Sequence, residues 1–392
     1  MIGPKALLEL SKGRQTPFYV YDLSLLETTL TAAQKAAGVN PRFCIHYALK
    51  ACYAMPVLKT VRDHCFGLDT VSGGEIELGV NAGFNPSKIL YAGVGKTDAE
   101  IDLALQLGIE CFNVESLPEL LAINERALAK NVSAPVALRI NPHIDAHTHH
   151  YITTGLSENK FGIDLSRLDE AVNTALSLPG VSFRGLHFHI GSQITVFEPF
   201  ELLCERAGNM VNRLNSRGIH VSSINLGGGL GIDYDDPLRH PVPDFETYMN
   251  TVNKCLDTTN VDKVHFELGR SLVAQCGILL SRIVYVKEGD SRTFVIADAG
   301  MNNLLRPALY QARHRIRNIS GEMRDAKLRK VDVVGPVCES ADEFGKDYLL
   351  PDPRKGDLLA IMSVGAYGET MASRYNLRPL NPSIAIRHKN LT

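Results

Sequence analysis

The chain has no run of the eighteen or so consecutive apolar residues that a membrane-spanning helix needs, which argues against a helical membrane protein. It has no excess of either charge. Its 41 Lys and Arg against 43 Asp and Glu leave a formal net charge of −2, so neither a nucleic acid nor an anionic membrane is called for as partner. It lacks a CxxC pair. Its cysteines (Cys44, Cys52, Cys65, Cys111, Cys204, Cys255, Cys276 and Cys338) are scattered through a long chain, so no disulfide framework is implied, and most read as small buried hydrophobes. The start, "MIGPKALLELSKGRQTPFYVYDL", lacks the basic beginning, apolar centre and small-residue cleavage site of a signal peptide, and a cytoplasmic protein is expected. Internal repeats and low-complexity tracts are absent as well.

What is present is an ordinary globular composition, 45% hydrophobic and 21% charged with 32 Gly, over 392 residues. That length suits a large domain plus a smaller one. Between residues 43 and 270, eight strand-like runs recur: "FCIHYALK", "FGLDTVSGGE", "ILYAGVGKT", "CFNVES", "VALRINP", "GLHFHIGSQ", "INLGGGLG" and "VHFELGR". Segments with apolar residues three and four apart, such as "LPELLAINERALAK", fit helices between several of them. Alternating strands and helices predict a parallel sheet, and eight units fit a closed (β/α)8 barrel of the TIM type; spacing alone leaves an open doubly wound sheet possible.

After about residue 271 the pattern changes to β-rich runs joined by turns, "ILLSRIVYVKEG", "TFVIADAG", "KVDVVGP" and "GDLLAIMSVGAYG". These predict a C-terminal antiparallel β domain, which the early "TPFYVYDL" strand could join. The division expected is therefore a barrel over 30–270 and a β domain over 1–29 plus 271–392. The charged tract "RHRIRNISGEMRDAKLRK" reads as a solvated loop or helix face.

Each of the eight runs begins apolar and ends polar or in glycine: Lys50, Ser72 to Glu75, Lys96, Glu115, Asn141, His189 to Gln193, Gly227 to Gly231, Glu267 to Arg270. Active sites of such barrels lie at the C-terminal strand ends, so chemistry is expected there. Lys50 is the telling case. A lysine is costly to bury unpaired, yet here it closes an apolar strand, which suits an amine held at a barrel mouth.

The glycine run "NLGGGLGI" could bring backbone N–H groups close to a phosphate or simply make a tight turn. As a dinucleotide fingerprint it lacks the final glycine and comes too late in the chain. Its place after the seventh strand favours phosphate, because loops after the last two strands often hold phosphate in this fold. In "HFHIGSQ", His187 and His189 read as facing opposite sides of a strand, one in the core and one in the mouth, with Ser192 as a hydroxyl donor. The cluster "NPHIDAHTHHY" (His143, His147, His149 and His150) lies in a loop without a helical metal-binding spacing and reads as polar surface; no metal is expected. Glu267 and Arg270 alone could be an ion pair. With Lys50 and a phosphate cradle they form what pyridoxal phosphate requires: a Schiff-base lysine, a carboxylate for the pyridine nitrogen and an arginine for the phosphate.

These residues also carry a resemblance. Through "YALKA", "VSGGE", "NVES", "THHYITTGLSENKFGI", "HFHIGSQ", "NLGGGLGI", "GPVCES", "FGKD" and "GAYGETMASRYNLRP", spread over nearly the whole chain, it resembles the barrel-type pyridoxal-phosphate decarboxylases, most closely the diaminopimelate decarboxylases. The resemblance implies that Lys50 carries pyridoxal 5'-phosphate and that His189 stacks on its ring. It implies that Ser192, Gly228, Gly229 and Arg270 help hold the phosphate, that Gly269 also binds the cofactor and that Glu267 faces the pyridine nitrogen. Cys338 would donate the proton after carbon dioxide leaves, and Glu339 would take the substrate's distal ammonium. Tyr310 and Tyr367 would line the site, Tyr367 also touching the cofactor, and Arg306 with Arg270 would receive carboxylate. The family's usual "EPGR" reads "ELGR" here, with Leu268 for proline.

The implied reaction is decarboxylation of meso-2,6-diaminopimelate to L-lysine, the last step of lysine biosynthesis, in a homodimer whose sites are shared across the interface. Arg306 supports this substrate over a basic amino acid alone, since a planar guanidinium suits a distal carboxylate. Other basic amino-acid decarboxylases and carboxynorspermidine decarboxylase are the competing enzymes. Alanine racemase fits "CES" and "GAYG" poorly. A partner-binding homologue without activity would be expected to have lost Lys50 or Cys338, and both are present. The "THHYITTGLSENKFG" stretch is a candidate for the loop that closes over substrate.

Overall fold

Whether eight parallel strands close or stay open depends on pairing between the first and last of them, which local sequence does not encode. The computed structural model of the chain describes residues 1–144 and 160–388. After a first strand, Phe18–Asp22 (β1), come Phe43–Ala48 (β2), Gly67–Thr70 (β3), Ile89–Tyr91 (β4), Cys111–Val114 (β5) and Ala134–Asn141 (β6). There follow the two-residue Ile163–Asp164 (β7), then Val181–His187 (β8), Ser223–Asn225 (β9) and Lys263–Leu268 (β10). The order β5-β4-β3-β2-β10-β9-β8-β6 is closed by pairing of β5 with β6, which makes an eight-stranded barrel; β7 only flanks β6. All of these pairings are parallel. The eight runs of the sequence are the eight barrel strands, and the open-sheet alternative falls.

Alternation sorts the side chains of each strand. On β10, Val264, Phe266 and Leu268 are buried on the outer, helix-facing side, where the Phe266 ring meets Phe43 at 4.9 Å and Tyr248 at 5.8 Å. Truncating so buried an aromatic costs about 3–5 kcal/mol. His265 and Glu267 face the interior instead. Several polar strand ends turn out to build the fold rather than the mouth. Ser72 caps the helix Gly73–Asn81 by accepting from the Glu75 N–H at 3.2 Å, and Ser116 caps Leu117–Ala129 by accepting from Glu119 at 3.3 Å. Lys96 is spent on the carbonyls of Gly93 (2.8 Å) and Asn113 (2.9 Å) and on Glu119 (2.6 Å). Glu115 is spent on Arg139 at 2.6 Å.

The second sheet holds Gly277–Glu288 (β11), Thr293–Ala297 (β12), Ile316–Asn318 (β13), Leu328–Val334 (β14), Glu343–Pro351 (β15), Leu358–Ile361 (β16) and Ile384–Ile386 (β17). Its order is β13-β16-β11-β12-β14-β15, with β1 antiparallel to β11 and parallel to β17. It is mostly antiparallel, β12 with β14 being a second parallel pair. The tract from 313 to 330 is not the solvated loop expected. It supplies β13, the helix Ile319–Met323 and buried His314 and Asn318, because alternate residues in it turn inward among the charges. No helix among the described residues is long and apolar enough to cross a membrane.

Candidate active site

The C-terminal ends of the barrel strands converge on Lys50, which sits in a single helical turn, Leu49–Ala51, directly after β2. Its Nζ donates to Asp69 Oδ2 at 3.1 Å, and Asp69 at the end of β3 is only 1% exposed. Burial alone would lower the Lys50 pKa, but Asp69 first, then Tyr367, Glu267 and Glu75, outweigh it and hold the ammonium above its ordinary value. Burial, with Glu267 next, raises the Asp69 carboxyl, and Lys50 partly offsets them. The second Asp69 oxygen, Oδ1, is buried without a hydrogen-bond partner among the described residues. The strand pattern contained Asp69, but nothing in it marked the residue as the partner of Lys50.

Deeper in the barrel, Glu267 is held by three strands across the interior. Its Oε1 accepts from Asn113 Nδ2 (3.0 Å, β5) and Asn225 Nδ2 (2.7 Å, β9), and its Oε2 lies 3.3 Å from His187 Nε2 (β8). Burial would raise its pKa, yet His187, Lys50 and His189 together bring it well below the ordinary carboxylate range, so the group is an anion. His189 lies above it, where Nδ1 accepts from the Gly228 N–H at 3.3 Å. Burial, then Arg139 and Lys50, pull His189 down to about 3, which keeps the ring neutral. His187 and His189 both face the interior, since residues two apart in a strand share a face. The expectation of opposite faces is corrected, while one histidine is deep and the other nearer the mouth.

Beside His189 the glycine run turns. A Cβ on Gly228 would come within 2.1 Å of the Glu267 carbonyl oxygen, and Gly229 has φ +113°, so the chain can pass this close only without side chains. Gln193 ties the turn down, its amide bonding both the C=O (2.7 Å) and N–H (3.2 Å) of Ile232. Gly269 lies against the Cβ atoms of Ala48 and Ala51, at 3.1 Å from where its own would be, which seats the end of β10 on the Lys50 turn. Leu268 is 1% exposed and pairs with Tyr47 in the β10–β2 register, so strand pairing orders this loop without the usual proline.

The last group is cationic. Arg270 donates from Nη2 to Ser192 Oγ (3.0 Å) and from Nη1 to Tyr234 Oη (2.6 Å). Arg306, from the short helix Arg306–Tyr310 outside the barrel, donates from Nη1 to the same Tyr234 oxygen at 2.9 Å and lies 2.9 Å from His314 Nε2. Both arginines are buried (6% and 5% exposed), and among the described residues neither meets a carboxylate. Tyr367 reaches in from the second sheet's side. Its N–H donates to the Ala51 carbonyl at 2.8 Å and its ring lies 5.0 Å from the Arg270 guanidinium. Tyr310 adds to the field on Arg270.

Eleven of the expected residues therefore gather at one mouth: Lys50, His189, Ser192, Gly228, Gly229, Glu267, Gly269, Arg270, Arg306, Tyr310 and Tyr367. Cys338 and Glu339 do not join them. Both are exposed; the Cys338 N–H donates to Asn376 Oδ1 at 3.0 Å, and Glu339 Oε1 accepts from the Tyr375 hydroxyl. His143 pairs with Asp164 at 2.8 Å on the surface, whereas His147, His149 and His150 lie outside the described residues, as does the 148–159 part of the loop expected to close over substrate. Among the described residues, His46, Glu110 and His265 are the group within metal-ligand reach of one another. They stand at the opposite end of the barrel, with His46 and His265 bonded to each other at 2.8 Å and Glu110 to Lys263 at 2.5 Å.

The site fits pyridoxal phosphate on its own geometry: an amine beside a buried carboxylate, a cradle that a Cβ would fill, and buried guanidinium Nε atoms of Arg270 and Arg306 that meet no acceptor among the described residues. Comparison with known proteins agrees. Residues 23–274 match the family described as pyridoxal-dependent decarboxylase, pyridoxal binding domain. The chain is 51% identical to a diaminopimelate decarboxylase of Bacteroides thetaiotaomicron over 96% of this chain and 97% of that one. It is 43% identical to that of Vibrio cholerae over 95% and 88% of the two chains. The crystal structure of the diaminopimelate decarboxylase from Helicobacter pylori complexed with L-lysine superposes with a TM-score of 0.90 at 38% identity, covering 98% of this chain and 94% of that one. The chain thus belongs to the diaminopimelate decarboxylase family of pyridoxal-dependent decarboxylases.

Proposed function

We propose that this chain removes carbon dioxide from meso-2,6-diaminopimelate to give L-lysine, using pyridoxal 5'-phosphate. The observation that carries the choice of substrate is the pair of buried guanidiniums, Arg270 and Arg306, that meet no carboxylate among the described residues. With the cofactor phosphate beside Arg270, an amino acid with a single carboxylate, spent in the reaction, would still leave Arg306 uncompensated; diaminopimelate brings a second carboxylate.

Lys50 would hold the cofactor covalently, with its phosphate in the Gly227–Gly229 turn beside Ser192 and Arg270. When bound, the cofactor withdraws electrons from the substrate carbon that loses carbon dioxide. Anionic Glu267, fixed by Asn113, Asn225 and His187, would keep a proton on the pyridine nitrogen, and neutral His189 would cover the ring without competing for that proton. Asp69 steadies the Lys50 ammonium whenever it is displaced.

Cys338 and Glu339 would act in the site of a second copy, as proton donor and as partner of the distal ammonium. Their exposure in this chain, on a segment away from Lys50, supports a homodimer with two shared sites. The division into a barrel over 30–270 and a β domain over 1–29 plus 271–392 is supported by β1 lying beside β11 in the second sheet. A cytoplasmic location is supported by eight free cysteines.

The test is to incubate purified protein and pyridoxal phosphate with meso-diaminopimelate, ornithine, arginine, lysine and carboxynorspermidine, and to identify each product. Lysine from diaminopimelate alone establishes the reading. Turnover of another of these substrates in its place replaces it.

A further inference from the structure

We propose that Tyr234 is a specificity residue, whose hydroxyl, braced between Arg270 and Arg306, donates its hydrogen to the distal carboxylate of the substrate. This rests on the reaction proposed above and adds a residue that neither the glycine run before it nor any motif in the sequence singled out.

A tyrosine hydroxyl has two acceptor positions and one hydrogen to give. Both acceptor positions of Tyr234 are filled, by Arg270 Nη1 at 2.6 Å and Arg306 Nη1 at 2.9 Å. Among the described residues nothing accepts its O–H. Among the described residues the Nε atoms of the same two arginines are also buried without hydrogen-bond partners. Three donors are thus unspent around one oxygen, on groups that carry two positive charges and face no carboxylate. Unsatisfied buried donors are costly, and two guanidiniums converging on one acceptor repel each other. An incoming carboxylate, acceptor-only with about four lone-pair positions, cancels both costs at once.

The ring is placed for this by its surroundings. It lies 5.9 Å from the Arg270 guanidinium and 5.0 Å from that of Arg306, and the His314 ring packs edge-on at 5.0 Å. His314 Nδ1 faces the Met362 carbonyl at 3.0 Å, which leaves Nε2 to accept from Arg306. The fork of Arg306 is therefore held from both sides. Burial would raise the Tyr234 pKa, but Arg270 and Arg306 bring it below the ordinary value, which makes the O–H a stronger donor. The arrangement reads the end of the substrate that survives the reaction. Decarboxylation takes one carboxylate, and the one retained in L-lysine is the distal one.

L-lysine and cadaverine separate this carboxylate from everything else, being the same diamine with and without it. Binding of each to the holoenzyme is measured by calorimetry for the wild-type chain and Tyr234→Phe, together with kcat and KM for meso-diaminopimelate. Losing one hydrogen bond to a charged group predicts about a 10- to 100-fold weaker affinity for L-lysine, unchanged cadaverine binding and unchanged cofactor content. KM should rise by a similar factor, with kcat far less affected. Should Tyr234→Phe fold poorly, Tyr234→Gln keeps an acceptor for the arginines and an N–H for the carboxylate, and is expected to retain more L-lysine affinity than cavity formation alone would allow. Equal losses for both ligands in these variants, or no loss for either, overturn the proposal. A wild-type chain that makes no lysine from diaminopimelate refutes the reaction instead. A wild-type chain that makes lysine, with a Phe variant that keeps the wild-type ratio of L-lysine to cadaverine affinity, refutes only the role of Tyr234.

Discussion

His314 should make the protein lose stability in mild acid. It is 4% exposed, its Nδ1 faces the Met362 carbonyl at 3.0 Å, and its Nε2 lies 2.9 Å from an arginine that can only donate. A second proton has nowhere to go. Burial, then Arg306 and Arg270, pull its pKa down to about 3. The unfolded chain titrates near an ordinary histidine value of about 6.5. Because the folded value is depressed, the unfolded state takes up the proton first as pH falls. Stability from keeping His314 neutral is fully present above about pH 6.5 and is lost progressively down to about pH 3. At about 1.4 kcal/mol per unit, the loss between pH 7 and pH 5 is about 2 kcal/mol. In His314→Gln the amide can still bond Arg306 and Met362 but does not titrate. Urea unfolding of both proteins at pH 7 and pH 5 should therefore give a fall about 2 kcal/mol larger in the wild-type chain. The variant should be less stable at pH 7 by about 1 kcal/mol through poorer geometry. Parallel pH dependence in the two proteins, or a His314 proton titrating near pH 6.5 by NMR, would refute the reasoning.

Lys50→Ala should lower turnover by about 10³-fold or more and abolish borohydride trapping of the cofactor on the chain; near-normal rates would remove Lys50 from its role. Gly228→Ala forces a Cβ to within 2.1 Å of the Glu267 carbonyl, and should cost about 1–3 kcal/mol in thermal stability and weaken cofactor binding measured by dialysis. Unchanged cofactor affinity would mean the phosphate sits elsewhere. Mixing Lys50→Ala with Cys338→Ala, each inactive, and re-forming dimers should restore about a quarter of wild-type activity, since half the dimers are mixed and each then holds one complete site. No recovery would place Cys338 in its own chain's site.

Residues that stand at the mouth because of their place along a strand were readable in advance. Lys50, Glu267 and Arg270 stand at the C-terminal ends of strands, and the eight runs alternate and terminate as barrel strands do. Glycines such as Gly228 were readable as a cradle, though not the carbonyl that demands it. The errors share a cause. Ser72 and Lys96 have the same local look as Lys50, yet one caps a helix and the other is consumed by Glu119. Polarity at a strand end is a local fact, and where the side chain is spent is a pairwise one. The 313–330 tract looked solvated because its charges outnumber its apolar residues, and only the sheet shows that His314 and Asn318 turn inward.

By itself the sequence determined the strand and helix periods, the end of the barrel where polar groups collect, the amine and carboxylate proposed for the cofactor, and the family. The periods and strand ends are carried by spacing within a few tens of residues, the family by short motifs spread along the chain. Tertiary structure decided which polar groups meet. Glu267 is fixed by Asn113, 154 positions away, and Tyr234 is clamped between Arg270 and Arg306, 36 and 72 positions away. It also decided that Cys338 faces outward. Electrostatic and hydrogen-bond energies fall off over a few ångströms, so such partnerships, and the pKa shifts that follow from them, exist only once the barrel has closed.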